Sequence, residues 1–300
     1  MTMQVTFWGT RGGVPVSGPG YAKHGGSTTC FEIQLPPSDE DRPDRLIIDC
    51  GTGLVELGHR RETAGAIDNA LFLQTHMHWD HVQGFPFFTP FFDADASFEF
   101  WGVDRGGRSL AEVYAQQMTE PTFPVSIDAI EADLEFISID EEGVADLGDV
   151  RIQWTEVKHP AGSSAFRIED GENVFVFSGD VEVRKGCFET LIELAEDADV
   201  FAMDAQYFPE EYPGRQGFGH STFTDAVKVA REAGVDRLFL SHHDPRHDDN
   251  RLDRKAAMAR ELAEGEVDVQ NARDGLSVAV CGKREDVRHT KERDEEPARR

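Results

Sequence analysis

Residues 70–82 read ALFLQTHMHWDHV, an apolar run of strand character that ends directly in three histidines and an aspartate. In extended chain, side chains two apart share a face, so His76 and His78 can point at one ion. Asp80 and His81 fall where the chain turns and can face a second ion nearby. Imidazole nitrogen and carboxylate oxygen are ligands that Zn²⁺, Mn²⁺ and Fe²⁺ accept. A lone histidine is usually an ordinary polar residue, but H-x-H-x-D-H behind a strand points to metal.

The rest of the chain alternates short apolar runs with helical patterns. Strands are expected at 3–9, 29–35, 45–50, 70–75, 97–102, 132–139, 149–159, 164–169, 173–179, 200–204, 237–242 and 276–280. Helical periodicity marks 53–64, 108–119, 187–197, 222–234 and 251–264. Ser221 or Thr222 is placed to cap the fourth helix and Gly234 to end it. This interspersion implies a layered α/β domain. No internal repeat divides the chain, and no linker rich in Pro, Gly or Ser interrupts it. A folded domain over 1–282 is expected, followed by a mixed-charge tail at 283–300 with too few apolar residues to order itself. Residues 84–135 are expected to carry an insertion suited to a lid or a dimer surface. Its aromatic run GFPFFTPFF (84–92) can fill core, form an interface or stack a base.

The chain has 57 Asp and Glu against 30 Lys and Arg, a formal charge of −27. The tail contributes +1, so the acidity belongs to the folded body. Seven lysines against 23 arginines, with acids spread throughout, resemble the surface of a protein from a high-salt cytoplasm. The rival reading is a functional acidic face at 128–149, which holds nine carboxylates and no Lys or Arg. Either way, long nucleic acid and anionic membrane are poor partners at low salt. The opening MTMQVTFWGT reads as a strand and not as a signal peptide, and no window approaches 18 uninterrupted apolar residues. A soluble, cytoplasmic protein is therefore expected. Cys30, Cys50, Cys187 and Cys281 lie far apart without a C-x-x-C pair, which reads as free thiols.

The motif THMHWDH resembles that of the metallo-β-lactamase-fold hydrolases, and the likeness extends over nearly the whole chain. It implies a four-layer αββα sandwich. It also implies that Asp49 in IIDCGTG supports the site without holding metal. His159 in EVKHPAG, Asp180 in FVFSGD and a histidine in RLFLSHHDP would be the later ligands. His242 is chosen over His243 because the family's ligand directly follows the small residue that ends the strand. The resemblance thus implies one ion held by His76, His78 and His159, and a second by Asp80, His81 and His242, with Asp180 bridging. The opening FWGTRGGVPVSGP and the GHST of 219–222 resemble the branch containing ribonuclease Z and small-molecule phosphodiesterases. There His220 would give a proton to the leaving oxygen, oriented by Asp204. His220 also has a structural alternative, a place at the N-terminus of the helix that follows.

These residues would support hydrolysis of a small anionic phosphodiester, a cyclic nucleotide above others, with two divalent ions as cofactors, zinc first and Mn or Fe as substitutes. Asp80 would serve catalysis as well as metal binding. Ribonuclease Z relatives often carry a tRNA-clamping arm between the third and fourth metal motifs, but only the 20 residues Pro160–Gly179 separate His159 from Asp180 here. The alternatives are ribonuclease Z-like RNA processing, lactone or thioester hydrolysis, and a nucleotide or metal sensor without turnover. Arg11, Arg215 and Arg246 lie in loops near the motifs, as phosphate grips or as solvated surface arginines. His24 and His247 are candidates for groups behind the ligands. The aromatic insertion makes a homodimer an expected assembly. Elemental analysis of the purified protein is expected to find zinc, manganese or iron. Metal-free, fully folded protein would contradict the motif.

Overall fold

The computed structural model describes residues 2–40, 42–59, 67–171 and 173–281. The expected tail at 283–300 and the end of the first helical pattern lie outside the described residues. Two seven-stranded sheets face one another. The first comprises β1 (Gln4–Gly9), β2 (Cys30–Gln34), β3 (Arg45–Ile48), β4 (Asn69–Gln74), β5 (Ser97–Gly102), β6 (Asp133–Ser138) and β14 (Leu276–Ala279), in the order β14-β1-β2-β3-β4-β5-β6. The second comprises β7 (Gly143–Leu147), β8 (Val150–Val157), β9 (Ser163–Asp170), β10 (Asn173–Phe177), β11 (Val200–Asp204), β12 (Arg237–Ser241) and β13 (Asp268–Asn271), in chain order from one edge to the other.

Both faces of each sheet are covered, which is why strands such as NALFLQ and VFAMD are apolar nearly throughout. Between the sheets, Phe7, Phe31, Leu71 and Leu73 of the first meet Phe166, Phe177, Ala202 and Phe239 of the second. Outside the second sheet pack α3 (Phe188–Leu194), α4 (Phe223–Glu232) and α5 (Asp249–Ala263), through Leu191, Val227, Ala230 and Ala259. Outside the first lie α1 (Gly53–His59), α2 (Leu110–Gln117) and the 3₁₀ turns of 85–92. The result is the expected α/β fold of four layers, αββα.

Thr222 caps α4 in a reciprocal capping box with Asp225, and Gly234 follows the helix with a φ of 71°. Two strands escape the sequence patterns. β7 belongs to the acidic stretch and alternates between partly and fully exposed residues, and β13, DVQN, is a short polar edge strand. Residues 84–135 contribute β5 to the first sheet and α2 to its outer layer. Within the aromatic run, Phe85, Phe88 and Phe91 are buried, whereas Phe87 and Phe92 stay exposed.

Strands β3 to β6 run parallel to one another, as do β10 to β13. Parallel strands deliver their C-terminal ends to one edge, where α/β sheets place their sites. Phe91 anchors the outer layer, in ring contact with Phe72, Phe85, Phe88, Phe98 and Phe100. Replacing Phe91 by alanine removes a fully buried ring, and urea denaturation is expected to show a loss of about 3–5 kcal/mol. A loss below about 1 kcal/mol would mean that the layer is not packed as described.

Candidate active site

The strand ends converge. His76, His78, Asp80 and His81 follow β4, and Asp49 follows β3, all in the first sheet. His159 follows β8, Asp180 follows β10, Asp204 ends β11 and His242 follows β12, all in the second. Their side chains form three groups whose ligand atoms lie within 4.8 Å of one another. These are His76, His78 and His159; Asp80, His81, Asp180 and His242; and Asp180, Asp204, His220 and His242. Asp180 is the hub, with Oδ2 3.0 Å from His242 Nε2, 3.2 Å from His81 Nε2, 3.7 Å from His76 Nε2 and 4.0 Å from His159 Nε2. Asp80 Oδ2 lies 3.3 Å from His242 Nε2 and 3.4 Å from His81 Nε2.

Groups behind the cluster orient its rings. Asp49 is fully buried with a left-handed φ of 60° and accepts from the Thr75 N–H (2.8 Å), the Thr75 hydroxyl (2.9 Å), Gln74 Nε2 (2.9 Å) and His81 Nδ1 (2.7 Å). Because the Thr75 hydroxyl donates to Asp49, it can accept only from His76 Nδ1 (3.0 Å), which leaves His76 Nε2 as a lone pair facing the cluster. His159 Nδ1 donates to the Gly219 carbonyl (2.8 Å), which frees its Nε2 in the same way. A carboxylate or carbonyl behind each imidazole is the usual support of a metal ligand. The Gly13 N–H donates to Asp80 Oδ2 (2.6 Å), so the glycine-rich opening packs onto the site. Glycine is required at two points of that packing, since a Cβ on Gly12 would overlap the His242 ring and one on Gly219 the His159 ring.

The electrostatics suit a cation. Burial alone would raise Asp180, but His242 and His81 hold it well below the usual carboxylate range. Asp80 is lowered in the same way, by His81 and His242 against burial. Conversely, burial would lower His242, but Asp180 and Asp80 lift it to about 10. His76 and His159 are kept neutral by burial, His159 at about 4. Two buried atoms, His76 Nε2 and Asp180 Oδ1, have no hydrogen-bond partner. Each such atom costs about 1–3 kcal/mol unless something meets it. Lone pairs turned inward, with carboxylates at the centre, fit divalent metal.

His220 adjoins this cluster. Its Nδ1 is 2.8 Å from Asp204 Oδ2, and its ring stacks on His242 at 4.7 Å. Glu182 holds the loop that carries it, accepting from the N–H groups of Gly217 (2.9 Å) and Gly219 (3.1 Å) and from the Tyr212 hydroxyl (2.8 Å). No spacing in the sequence singled out Glu182. Its only mark is that it lies two residues after Asp180.

Of the two adjacent histidines, His242 enters the cluster, while His243 turns away and bonds the Ala272 carbonyl at 3.0 Å. The arginines divide. Arg11 is neither solvated nor free for phosphate. It is fully buried and donates to the carbonyls of Gly25 (2.9 Å) and His247 (2.6 Å), because the turns at 25 and 244–247 leave carbonyls that need a buried donor. Arg215 and Arg246 both bond Asp244. His24 and His247 are buried beside Asp253 and Glu211 and do not belong to the cluster.

Residues 44–243 match the Beta-lactamase superfamily domain. A ribonuclease Z of Haloarcula marismortui is 28% identical, over 93% of this chain and 97% of its own length. The metallo-β-lactamase-fold protein YhfI of Bacillus subtilis superposes with a TM-score of 0.65 at 21% identity, over 92% of this chain and 98% of that one. A diphosphatase of the PhnP family gives a TM-score of 0.61 at 16% identity, over 94% of this chain and 100% of that one. At such identities the two structures speak for the fold. The chain belongs to the β-lactamase superfamily and is a metal-dependent hydrolase of metallo-β-lactamase fold. The name ribonuclease Z assigns RNA to those relatives, which does not fit the expectation that long nucleic acid is a poor partner. No described helix is long and apolar enough to cross a membrane.

Asp49 bonds His81 directly and reaches His76 through Thr75, so it orients a member of each group of candidate ligands without entering either. Asp49→Asn is expected to weaken divalent-metal affinity by about 10–100-fold, read by calorimetric titration of chelator-treated protein. Affinity equal to the wild type would remove Asp49 from this role.

Proposed function

We propose that the protein is a dinuclear phosphodiesterase for a small phosphodiester, with cyclic nucleotides as the favoured class. The carrying observation is the His220–Asp204 pair, bonded at 2.8 Å beside a cluster of seven metal-type ligands. His76, His78 and His159 would hold one ion, Asp80, His81 and His242 the other, with Asp180 between them. Bound divalent ions supply Lewis acidity, which polarises a phosphoryl group and lowers the pKa of water.

The chain's own residues supply the rest. Asp204 fixes the Nδ1–H of His220 and so turns Nε2 outward. From there His220 can hand a proton to the oxygen that leaves as the ester bond breaks. The His220 side chain is only 13% exposed, which limits competition from bulk water. Bound cations would offset the carboxylates inside the cleft, so an anionic diester would meet a local field unlike that of the exterior.

The small-substrate reading also rests on what separates His159 from Asp180. β9 and β10 pair directly across a turn at Gly171, and the described residues between His159 and Asp180 hold no further element. The second reading, RNA processing, is favoured by the ribonuclease Z relatives. One experiment separates them: the metal-loaded protein with cyclic mononucleotides, cyclic dinucleotides, bis(p-nitrophenyl) phosphate and a precursor tRNA. Turnover of the small diesters is expected, and rapid tRNA trimming without it would overturn the proposal. His220→Ala is expected to lower kcat by roughly 10²–10⁴-fold with metal content intact. Unchanged turnover, or loss of metal, would contradict the acid role.

A further inference from the structure

Beside His220 opens a cavity of about 500 Å³, bordered by Gly12, Tyr207, Arg215, Phe218 and Arg246. Its walls are unusual for this protein in two respects. Phe218 is 61% exposed, yet it sits between Gly217 and Gly219, both of which Glu182 holds by their N–H groups. The ring is thus presented to solvent from a tied loop. In addition, Arg215 and Arg246 share the single carboxylate of Asp244, with contacts of 2.9 Å each. The three groups carry a surplus positive charge at the mouth of the site, in a chain whose net charge is −27. Arg215 is further fixed over the Tyr207 ring at 5.0 Å, while the Arg246 side chain, though bonded to Asp244, is 62% exposed and within reach of a ligand from solvent.

We propose that this cavity is the subsite for the leaving half of the substrate, and that this half is a nucleotide bearing a second phosphate. The inference rests on the reading of His220 as the proton donor. A group that protonates the leaving oxygen borders the leaving half, so that half occupies the space on which His220 opens. Phe218 offers a face for the base, and base–aromatic stacking is tolerant of base identity. The scissile phosphate is engaged at the histidine and aspartate cluster. The surplus cation at Arg246 therefore meets a different anion, and a planar guanidinium pairs well with phosphate. In the reaction, an oxygen of water bonds to phosphorus, the ester P–O bond breaks, and the departing oxygen takes the proton of His220. The products are a phosphomonoester and a nucleotide with a free hydroxyl.

The test compares the dinucleotide ApA with pApA and ApAp, which carry a terminal phosphate at one end or the other, using full-length metal-loaded protein. One phosphorylated form is expected to exceed ApA in kcat/KM by about 10-fold, a preference that Arg246→Met reduces to near unity. Phe218→Ala is expected to raise KM about 10-fold more than it lowers kcat. Equal kcat/KM for the three dinucleotides, or variants that match the wild type, would overturn the subsite. If the wild type cleaves none of them, the phosphodiesterase reading stands or falls on the cyclic nucleotides and bis(p-nitrophenyl) phosphate, and equilibrium binding decides the subsite. AMP is then expected to bind about 10-fold tighter than adenosine, with the difference lost in Arg246→Met, and equal binding would overturn it.

Discussion

Four donors meet on the carboxylate of Asp49, inside the protein and away from water. Burial pushes its carboxyl up, and His81 and Thr75 act against that rise. The arrangement is demanding, because a buried carboxylate is tolerated only where hydrogen bonds replace its hydration. The left-handed backbone at residue 49 adds strain of order 1 kcal/mol, which the surrounding strands sustain. In return, one side chain sets the direction of two imidazoles on a different strand. His81 is held directly and His76 through Thr75, so the geometry of the cluster begins at a residue that does not enter it.

The remaining geometry depends on how the sheets meet. The first sheet contributes the H-x-H-x-D-H ligands, and the second contributes His159, Asp180, Asp204 and His242. Their mutual placement is therefore set by the apolar layer between the sheets, where Phe31 lies against Phe177 at 4.7 Å and Phe7 against Phe239 at 5.2 Å. Protein interiors pack as densely as organic crystals, so a change of one ring there moves one sheet edge relative to the other. The buried Lys255 adds a second tie. Its ammonium donates to the carbonyls of Ala205 (2.7 Å) and Gln206 (3.1 Å), the residues that follow Asp204. Burial lowers that lysine to about 7. The loop behind the His220–Asp204 pair is thus held by a group that itself pays for desolvation.

Most elements were legible because both sheets are sandwiched. Strands covered on two faces become continuous apolar runs, and SFEFWG and VFAMD were read to the residue. β7 and β13 were not, because edge strands need neither apolar faces nor regular alternation. The site was legible where its residues stand at strand ends in a family order, and the position of His242 followed from that order. Arg11 was misjudged for a physical reason. Sequence shows that an arginine lies in a glycine-rich turn, but not that two distant segments leave carbonyls pointing at it. Glu182 and Lys255 act on loops through backbone groups, and backbone partners leave no pattern in side-chain types.

The charge of −27 takes a more specific meaning in this setting. Asp49, Asp80, Asp180 and Asp204 are buried within one constellation, each matched by imidazoles or backbone donors. These four do not make up the external field. The outer carboxylates do, and they repel any substrate long enough to extend beyond the cleft. At a Debye length of about 8 Å that repulsion reaches one or two phosphates past the mouth, and at 1 M salt, about 3 Å, it barely leaves the surface. A short diester would be engaged inside that range, between the cluster and the surplus cation beside Asp244. An RNA would be engaged inside it and repelled outside it. The balance between small and large substrates is therefore a function of ionic strength, with long RNA gaining most as salt rises, the reverse of ordinary nucleic-acid binding by a basic surface.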